Sequence, residues 1–353
     1  MEEEAEAAGL WASYENGYTR WVERLQGNVP DGADPLPAAG GFGGQVWNGV
    51  QWTIGNLLEA PYNIAYAVTH PGSWLSWIGH VNQPMPTPEI KQALMRFVYY
   101  GASVELFFAL FFLLLCYTAF AMRNRPVMWG TVRVLEGLAN RVGRFFAWAA
   151  FVMVAIQIVI IFLQRVFAVN QISFGFGMTI THDVFWWSDG LKLWNAMIVA
   201  LCVTYTFVQG GHVRVDLVYS AVSHRVQRAI DMVGSLLFLL PGAVLIYMYS
   251  WFFLWRSLLV PPVSSTNTFD QLVLQRSQAL RWNVETIGTS PNGFDAYWLF
   301  KLFLVLFCIL VLLQAVAFFY RSFLEYVEGE ASAGKYLDKD SLGEGQEVYE
   351  GTH

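Results

Sequence analysis

Five long apolar runs constrain the fold of this chain more than any other feature of its sequence. Each run is long enough to cross the roughly 30 Å hydrocarbon core of a bilayer as a helix, which takes about 20 residues. The spans are expected near Phe97–Ala121, Phe145–Val166, Leu191–Val208, Ile230–Leu254 and Tyr297–Tyr320. Only 14% of the residues are charged, whereas an average soluble domain has about 25%. The sequence therefore predicts an all-α integral membrane protein with about five transmembrane helices and additional interfacial amphipathic helices.

Basic residues near the span ends predict the orientation, because cytoplasmic loops carry an excess of Lys and Arg. Two connections are arginine-rich and are assigned to the cytoplasm. They hold Arg123, Arg125, Arg133, Arg141 and Arg144 after the first span, and Arg214, Arg225 and Arg228 after the third. This places the C-terminus in the cytoplasm. With five spans, and no cleavable signal peptide expected after the acidic start, the N-terminal 96 residues are expected in the periplasm of a bacterial inner membrane.

Composition divides the chain into five parts. They are an acidic segment with a Pro/Gly-rich linker (1–44), a Trp-rich interfacial segment broken at Pro61 and Pro71 (45–96), an extra transmembrane helix (97–122), a four-helix membrane domain (132–326) and a disordered acidic tail (327–353). The interfacial segment is expected to lie on the membrane surface without crossing it. The four-helix domain is expected to begin with a basic amphipathic helix, Val132–Arg144, whose apolar positions are Val134, Leu135, Leu138 and Val142.

The sequence favours neither an enzyme nor a cofactor protein. The three cysteines lie inside apolar runs without CxxC spacing, so no metal, haem attachment or disulfide is predicted. None of the six histidines lies in the middle of a span, which disfavours haem held between helices. Catalytic and cofactor-binding residues are expected to be absent, and no nucleic acid partner is indicated.

One intramembrane charge stands out. Glu105 lies about two turns into the first predicted span, and Arg165 ends the second span on the same side. Charges inside a bilayer are costly and often functional. The two residues can form an ion pair between helices, which is favoured over a proton or ion relay.

The stretch GGHVRVDLVY, Gly210–Tyr219, connects the third and fourth spans. Gly210 and Gly211 can end a helix in the left-handed conformation. An extended backbone would then send His212, Arg214 and Asp216 to one side. An ordinary positive-inside loop and a docking element for a partner or for lipid phosphate both account for these groups. Arg225 and Asp231 follow at the start of the next helix.

The run Gly210–Pro241 resembles the signature of the small permease subunit of TRAP transporters, the DctQ type. The shared pattern is a G-H-[VI]-R-[VI]-D core, a short surface helix, an I-D pair and an apolar run ending in proline. The resemblance extends over about Val132–Tyr326, so the four-helix domain is DctQ-like. The extra N-terminal span and the long connection 255–296 depart from the family pattern.

The resemblance implies a non-catalytic scaffold for a large DctM-type permease, which moves an organic acid with sodium after delivery by a periplasmic solute-binding protein. Membrane lipids are the other expected partners. An alternative is a TRAP-like bundle recruited as an accessory subunit of another inner-membrane complex. A membrane redox enzyme is a third, disfavoured class.

Overall fold

The computed structural model describes residues 41–80, 87–174, 180–210, 222–259 and 293–338. Within these ranges the chain is mostly helical, and five helices are long and apolar enough to cross a membrane. The all-α, five-span prediction is confirmed. The described residues divide into two compact units, one from the ranges 41–123 and 251–259 and the other from the ranges 124–250 and 293–338.

The first unit begins with α1 (Gly41–Thr69), followed by α2 (Gly72–Leu75), a 3-10 turn (Ser76–His80), α3 (Pro88–Tyr100) and α4 (Val104–Arg123). The linker predicted up to residue 44 is wrong at its end, because Gly41 already belongs to α1; residues 1–40 lie outside the described ranges. The predicted break at Pro61 is also wrong. Pro61 removes one backbone hydrogen bond, but α1 continues through it beside the fully buried Ala60. The predicted break at Pro71 is present, between α1 and α2.

The first span starts later than the sequence predicted. Phe97 lies in α3, which ends at Tyr100, and a short turn separates α3 from the spanning helix α4. The Ser103 hydroxyl accepts a hydrogen bond from the Leu106 backbone N–H at 3.1 Å. Serine at this position satisfies a donor that the first helical turn leaves unpaired. With this N-cap, the spanning helix α4 begins at Val104.

Aromatic side chains form the core of the first unit. Phe97 lies against Trp77, Trp251 and Trp255, with ring centroids 5.0 to 5.7 Å apart. The Trp251 indole N–H donates to the Val98 carbonyl at 3.1 Å. A Cβ added at Gly101 would lie 2.0 Å from Trp251 Nε1, so glycine is required where α3 ends.

The second unit contains the long helix α5 (Arg125–Arg165), a hairpin of β1 (Gln171–Phe174) and β2 (Ile180–Asp183), α6 (Val184–Gln209), α7 (His224–Gly234), the first part of α8 (Leu240–Leu259) and α9 (Trp298–Glu328). The strands are antiparallel and pair Ile172 with His182. A π-helical turn, Ser235–Leu239, joins α7 to α8. There the Leu240 N–H bonds to the Ser235 carbonyl, one residue further back than in an α-helix, immediately before the helix-disrupting Pro241.

Close contact between α5 and α6 holds the second unit together. A Cβ at Gly143 would lie 2.0 Å from Tyr205 Cβ, and Cys202 Sγ lies 3.5 Å from the Gly143 carbonyl oxygen. Small residues allow membrane helices to approach closely and gain van der Waals contact. The Phe207 and Phe318 rings, 5.1 Å apart, bring α9 against α6.

The predicted disordered tail, 327–353, is wrong over its first twelve residues. Helix α9 continues to Glu328, and a 3-10 turn follows at Glu330–Ser332. The chain then remains in contact with the second unit as far as Asp338, through contacts described below. Residues 339–353 lie outside the described ranges.

Candidate functional site

A buried ion pair joins α5 to α9 near one end of the second unit. Arg321 Nε donates to Glu136 Oε1 at 2.6 Å, and Arg321 Nη2 donates to Glu136 Oε2 at 2.5 Å. Both side chains are less than one tenth exposed. Two parallel N–H···O bonds fix the planar guanidinium against the carboxylate, which a lysine could not do. The pair therefore sets both the distance and the rotation between the two helices.

The same arginine extends the pair into a network that includes α7. Glu325 lies one turn after Arg321, with Oε1 3.5 Å from Arg321 Nη1. Its other oxygen, Oε2, lies 2.8 Å from Arg228 Nε. Arg228 Nη1 in turn donates to Asp231 Oδ2 at 3.0 Å. Three carboxylates and two guanidinium groups thus form what we call the terminal ion-pair network: Glu136, Arg228, Asp231, Arg321 and Glu325.

Residues beyond α9 close over this network. Arg144 makes two bonds to the Asp338 carboxylate, at 3.0 and 3.1 Å. The Asn140 amide donates to the Asp338 carbonyl at 2.8 Å. Arg321 Nη1 donates to the Lys335 carbonyl at 3.0 Å. The start of the predicted acidic tail is therefore held by polar groups of α5 and α9.

Polar contacts hold the chain on both sides of the GGHVRVDLVY motif. On the α6 side, Gln209 Nε2 donates to Asn140 Oδ1 at 3.2 Å and to the Asp338 carbonyl at 3.1 Å. Gly210 follows with φ of +78°, so it ends α6 in the left-handed conformation as predicted. On the α7 side, Arg228 and Asp231 are part of the network. The residue before the motif is thus bonded to α5 and to Asp338, and Arg228, nine residues after the motif, is paired with Glu325 of α9.

The predicted site residues have different outcomes. Gly211, His212, Arg214 and Asp216 lie outside the described residues, and their interface role stays a prediction. Arg225 is exposed at the start of α7. Asp231 is in the network, paired with Arg228.

The predicted pair of Glu105 and Arg165 is placed on two different units. Glu105 lies in the first turn of α4, in the first unit, and Arg165 is the last residue of α5, in the second. Their ion pair stays a prediction.

A smaller polar cluster lies at the opposite end of the second unit. The buried Asp189 carboxylate accepts from Lys192 Nζ at 2.5 Å, from the Phe294 backbone N–H at 3.1 Å and from the Tyr297 hydroxyl at 3.2 Å. These bonds join the first turns of α6 to the chain entering α9. Charged groups therefore connect the helices at both ends of the unit.

The two clusters support structural roles and not chemistry. Among the residues that the structure describes, no group of three His, Cys, Asp or Glu side chains is placed to hold a metal ion. The network carboxylates are each paired with arginine, as buried charges require. Such an arrangement holds helices in register.

Sequence reasoning missed Glu136, Arg321 and Glu325 because it followed the apolar residues of the helices. The structure turns Glu136, Asn140 and Gly143 inward and leaves Val134 and Leu138 exposed. The predicted apolar face of Val132–Arg144 is thus largely the outer face of the helix. A signal was present: polar residues recur four apart, at Glu136, Asn140 and Arg144, and again at Arg321 and Glu325. This spacing aligns them on one face of each helix.

Taken together, the fold and the site define a multi-pass helical membrane protein whose paired charges lie at the ends of its bundle. Residues 176–269 match the family model described as "Tripartite ATP-independent periplasmic transporters, DctQ component". This part of the chain is similar to the DctQ component of TRAP transporters, a non-enzymatic family, and the resemblance drawn from Gly210–Pro241 is confirmed. The match covers about a quarter of the chain and leaves out α1 to α5, β1 and α9. Comparisons with curated proteins and with solved structures found no match.

Proposed function

We propose that this chain is the non-transporting scaffold of a TRAP transporter, which holds the large permease in place during sodium-coupled uptake of an organic acid. One observation carries the proposal. The ranges 145–164, 193–209, 232–255 and 302–320 contain no Asp, Glu, Lys, Arg or His. Transport sites in membranes use polar or ionisable groups near the bilayer midplane. The buried charges of the second unit are instead paired, and they lie at its ends.

A scaffold needs helices that do not move against one another. The Gly143–Tyr205 contact, the ion-pair network and the Asp189 cluster each join different helices of the second unit. A permease that moves substrate by displacing one of its own domains needs such a fixed neighbour. These contacts between the helices of the second unit therefore support the scaffold role.

The partners follow from the family. A tripartite system of this kind includes a large DctM-type permease and a periplasmic solute-binding protein, and the small subunit reaches the latter through the former. We assign the GGHVRVDLVY motif to the contact with the permease or with lipid headgroups, since Arg214 and Asp216 supply directional polar groups beside a fixed network. We assign this end of the bundle to the cytoplasm, because α5 is rich in arginine and cytoplasmic loops carry an excess of Lys and Arg.

Co-purification tests the proposal. The tagged full-length chain is expected to retain a large permease through detergent extraction, and liposomes containing both subunits are expected to accumulate solute when the binding protein is added. The chain alone is expected to give no uptake. Solute accumulation by the chain alone, or purification without any permease, would contradict the scaffold role.

A second candidate is an accessory subunit of another inner-membrane complex. The observation that favours it is the first unit, whose helices α1 to α4 lie outside the family match and whose Trp77 and Phe97 pack against Trp255 and Trp251 in an aromatic core. Deleting residues 1–123 distinguishes the two. A TRAP scaffold is expected to keep its permease after this deletion, whereas a subunit recruited through the first unit is expected to lose its partner. Membrane insertion of the shortened chain is the control.

A further inference from the structure

We propose that α1 crosses the bilayer as a sixth membrane span, with lipid acyl chains on its outer face. The sequence pattern predicted an interfacial position for this segment. Three features of the first unit carry the different assignment: the direction of α1 along α4, its depth, and the inversion of its polar and apolar faces.

Contacts at two levels show that α1 runs antiparallel to α3 and α4. Near the C-terminal end of α1, the Ala67 carbonyl accepts a hydrogen bond from Trp74 Nε1 at 3.1 Å, and the Trp74 ring stacks on Phe97 of α3 at 6.4 Å. Earlier in α1, the Trp52 ring lies 5.4 Å from the ring of Phe108 in α4. Residues nearer the N-terminus of α1 therefore lie beside residues further along the chain, from α3 into α4. Helices α1 and α4 thus run in opposite directions, as in a helical hairpin.

The depth of α1 follows from this alignment. Phe108 lies four residues after the start of α4, which is itself apolar enough to span. From Trp52 back to Gly41 are eleven further helical residues, or about 16 Å at 1.5 Å per residue. That distance brings Gly41 to the level of about Ala119, close to the last residue of α4, Arg123. Helix α1 therefore accompanies α4 along most of its length.

The two faces of α1 are inverted relative to a helix in water. Its buried side carries Asn56, Glu59 and Asn63, which are 5%, 7% and 4% exposed. Its exposed side carries mostly large apolar residues, together with the polar Gln45 and Thr53; the apolar ones are Phe42, Val46, Trp47, Val50, Ile54 and Leu58. Polar residues are mostly exposed in water-soluble folds, whereas in hydrocarbon the polar groups must turn inward. The exposed face of α1 therefore matches acyl chains.

Charge and hydrogen bonding agree with this assignment. Glu59 is the only charged side chain between Gly41 and Thr69. The Thr53 hydroxyl donates to the Gly49 carbonyl at 2.8 Å, and the Asn56 amide donates to the Trp52 carbonyl at 2.9 Å. These donors are satisfied within the helix itself, as the bilayer interior requires.

A sixth span changes the predicted side of the N-terminus. With an even number of crossings, residues 1–40 lie on the same side of the membrane as the C-terminal tail. The turn between α1 and α3 lies on the other side. The assignment also removes the need to export 96 residues ahead of the first span.

Cysteine labelling tests the crossing in a full-length chain whose Cys116, Cys202 and Cys308 are replaced by serine. Single-cysteine variants Ser13→Cys and Gly79→Cys sample the two ends of α1, and Ser341→Cys samples the tail. Gly79 is a suitable site because it is exposed and a Cβ there meets nothing within 4 Å. With a membrane-impermeant maleimide on spheroplasts, Ser13→Cys and Ser341→Cys are expected to react only after permeabilisation, and Gly79→Cys before it. Equal reactivity of Ser13→Cys and Gly79→Cys overturns the proposal.

A spin label on α1 provides a second readout, one that does not depend on labelling efficiency. Labels at Val50→Cys and Ile54→Cys are expected to be accessible to oxygen, which enters the bilayer. They are expected to be inaccessible to a water-soluble nickel complex, which does not enter it. The label at Gly79→Cys is expected to show the opposite preference. Equal access of the nickel complex to all three labels places α1 at the aqueous surface and contradicts the crossing.

Discussion

Arg321 and Glu136 form a two-point ion pair between helices whose positions in the chain are 185 residues apart, with N···O distances of 2.6 and 2.5 Å. The pair lies beneath residues 335–338 and beside the network partners Glu325 and Arg228. Because a buried charge that loses its partner is strongly destabilising, this contact is the most sensitive point of the second unit.

Glu136→Gln is expected to lower the stability of the detergent-solubilised protein by about 3 kcal/mol, because it leaves the Arg321 charge without its main partner. The apparent unfolding temperature, followed by tryptophan fluorescence, measures the loss. Arg141→Gln removes an exposed charge from the same helix and is the matched control, expected to change little. The double variant Glu136→Leu with Arg321→Met is expected to recover much of the loss, since two apolar groups replace a pair without leaving a charge. Equal stability of Glu136→Gln and Arg141→Gln would contradict a structural role for the pair.

Gly143→Ala is expected to separate α5 from α6 at their closest contact. The added methyl would lie 2.0 Å from Tyr205 Cβ, an atom fixed to the backbone that cannot rotate away. Overpacking of this kind costs about 1–3 kcal/mol. Gly137→Ala is the control on the same helix, since a Cβ there meets nothing within 4 Å. Thermal stability that falls equally in both variants would indicate a helix effect and not a contact effect.

Truncation of the tail is expected to show a sharp boundary at Asp338. A chain ending after residue 340 keeps the contacts of Asp338 with Arg144 and Asn140, so its stability is expected to equal that of the full chain. Asp338→Ala in the full chain removes two partly exposed charge contacts, worth about 1 kcal/mol together. Differential scanning fluorimetry compares the three proteins. If the tail makes no stabilising contact, all three proteins will have the same unfolding temperature.

Arg214→Ala and Asp216→Ala are expected to weaken the association with the permease while leaving membrane insertion intact. Both positions lie in the motif, which follows Gln209, bonded to Asn140 of α5, and precedes Arg228 of the network. The yield of co-purified permease measures the effect, and the membrane-fraction yield of each variant measures insertion. Arg141→Ala, at an exposed arginine of α5, tests whether losing any exposed positive charge has the same result. Unchanged permease yield and uptake in both motif variants would leave the motif as an ordinary loop.

The sequence predicted the spanning helices well because each needs only length and low polarity, properties that are visible in one segment alone. It did not predict the ion-pair network, because Glu136 and Arg321 are neighbours only after α5 and α9 have packed. Periodicity marked the apolar positions of Val132–Arg144 but not the buried side of the helix, which carries Glu136, Asn140 and Gly143. The prediction of a break at Pro61 was wrong for a related reason. It considered only the local effect of proline, whereas Ala60 and Asn63 on either side of it are buried by the packing of the first unit.

Helix α5 runs unbroken for 41 residues, or about 60 Å, roughly twice the thickness of the hydrocarbon core. The charge-free half of α5, 145–164, is long enough to cross the hydrocarbon core. The arginine-bearing half is therefore expected to extend into the headgroup region and the water beyond it. The arginine-bearing half of α5 can therefore bind a neighbouring protein outside the hydrocarbon core. Such binding does not require apolar helix surfaces to meet within the bilayer.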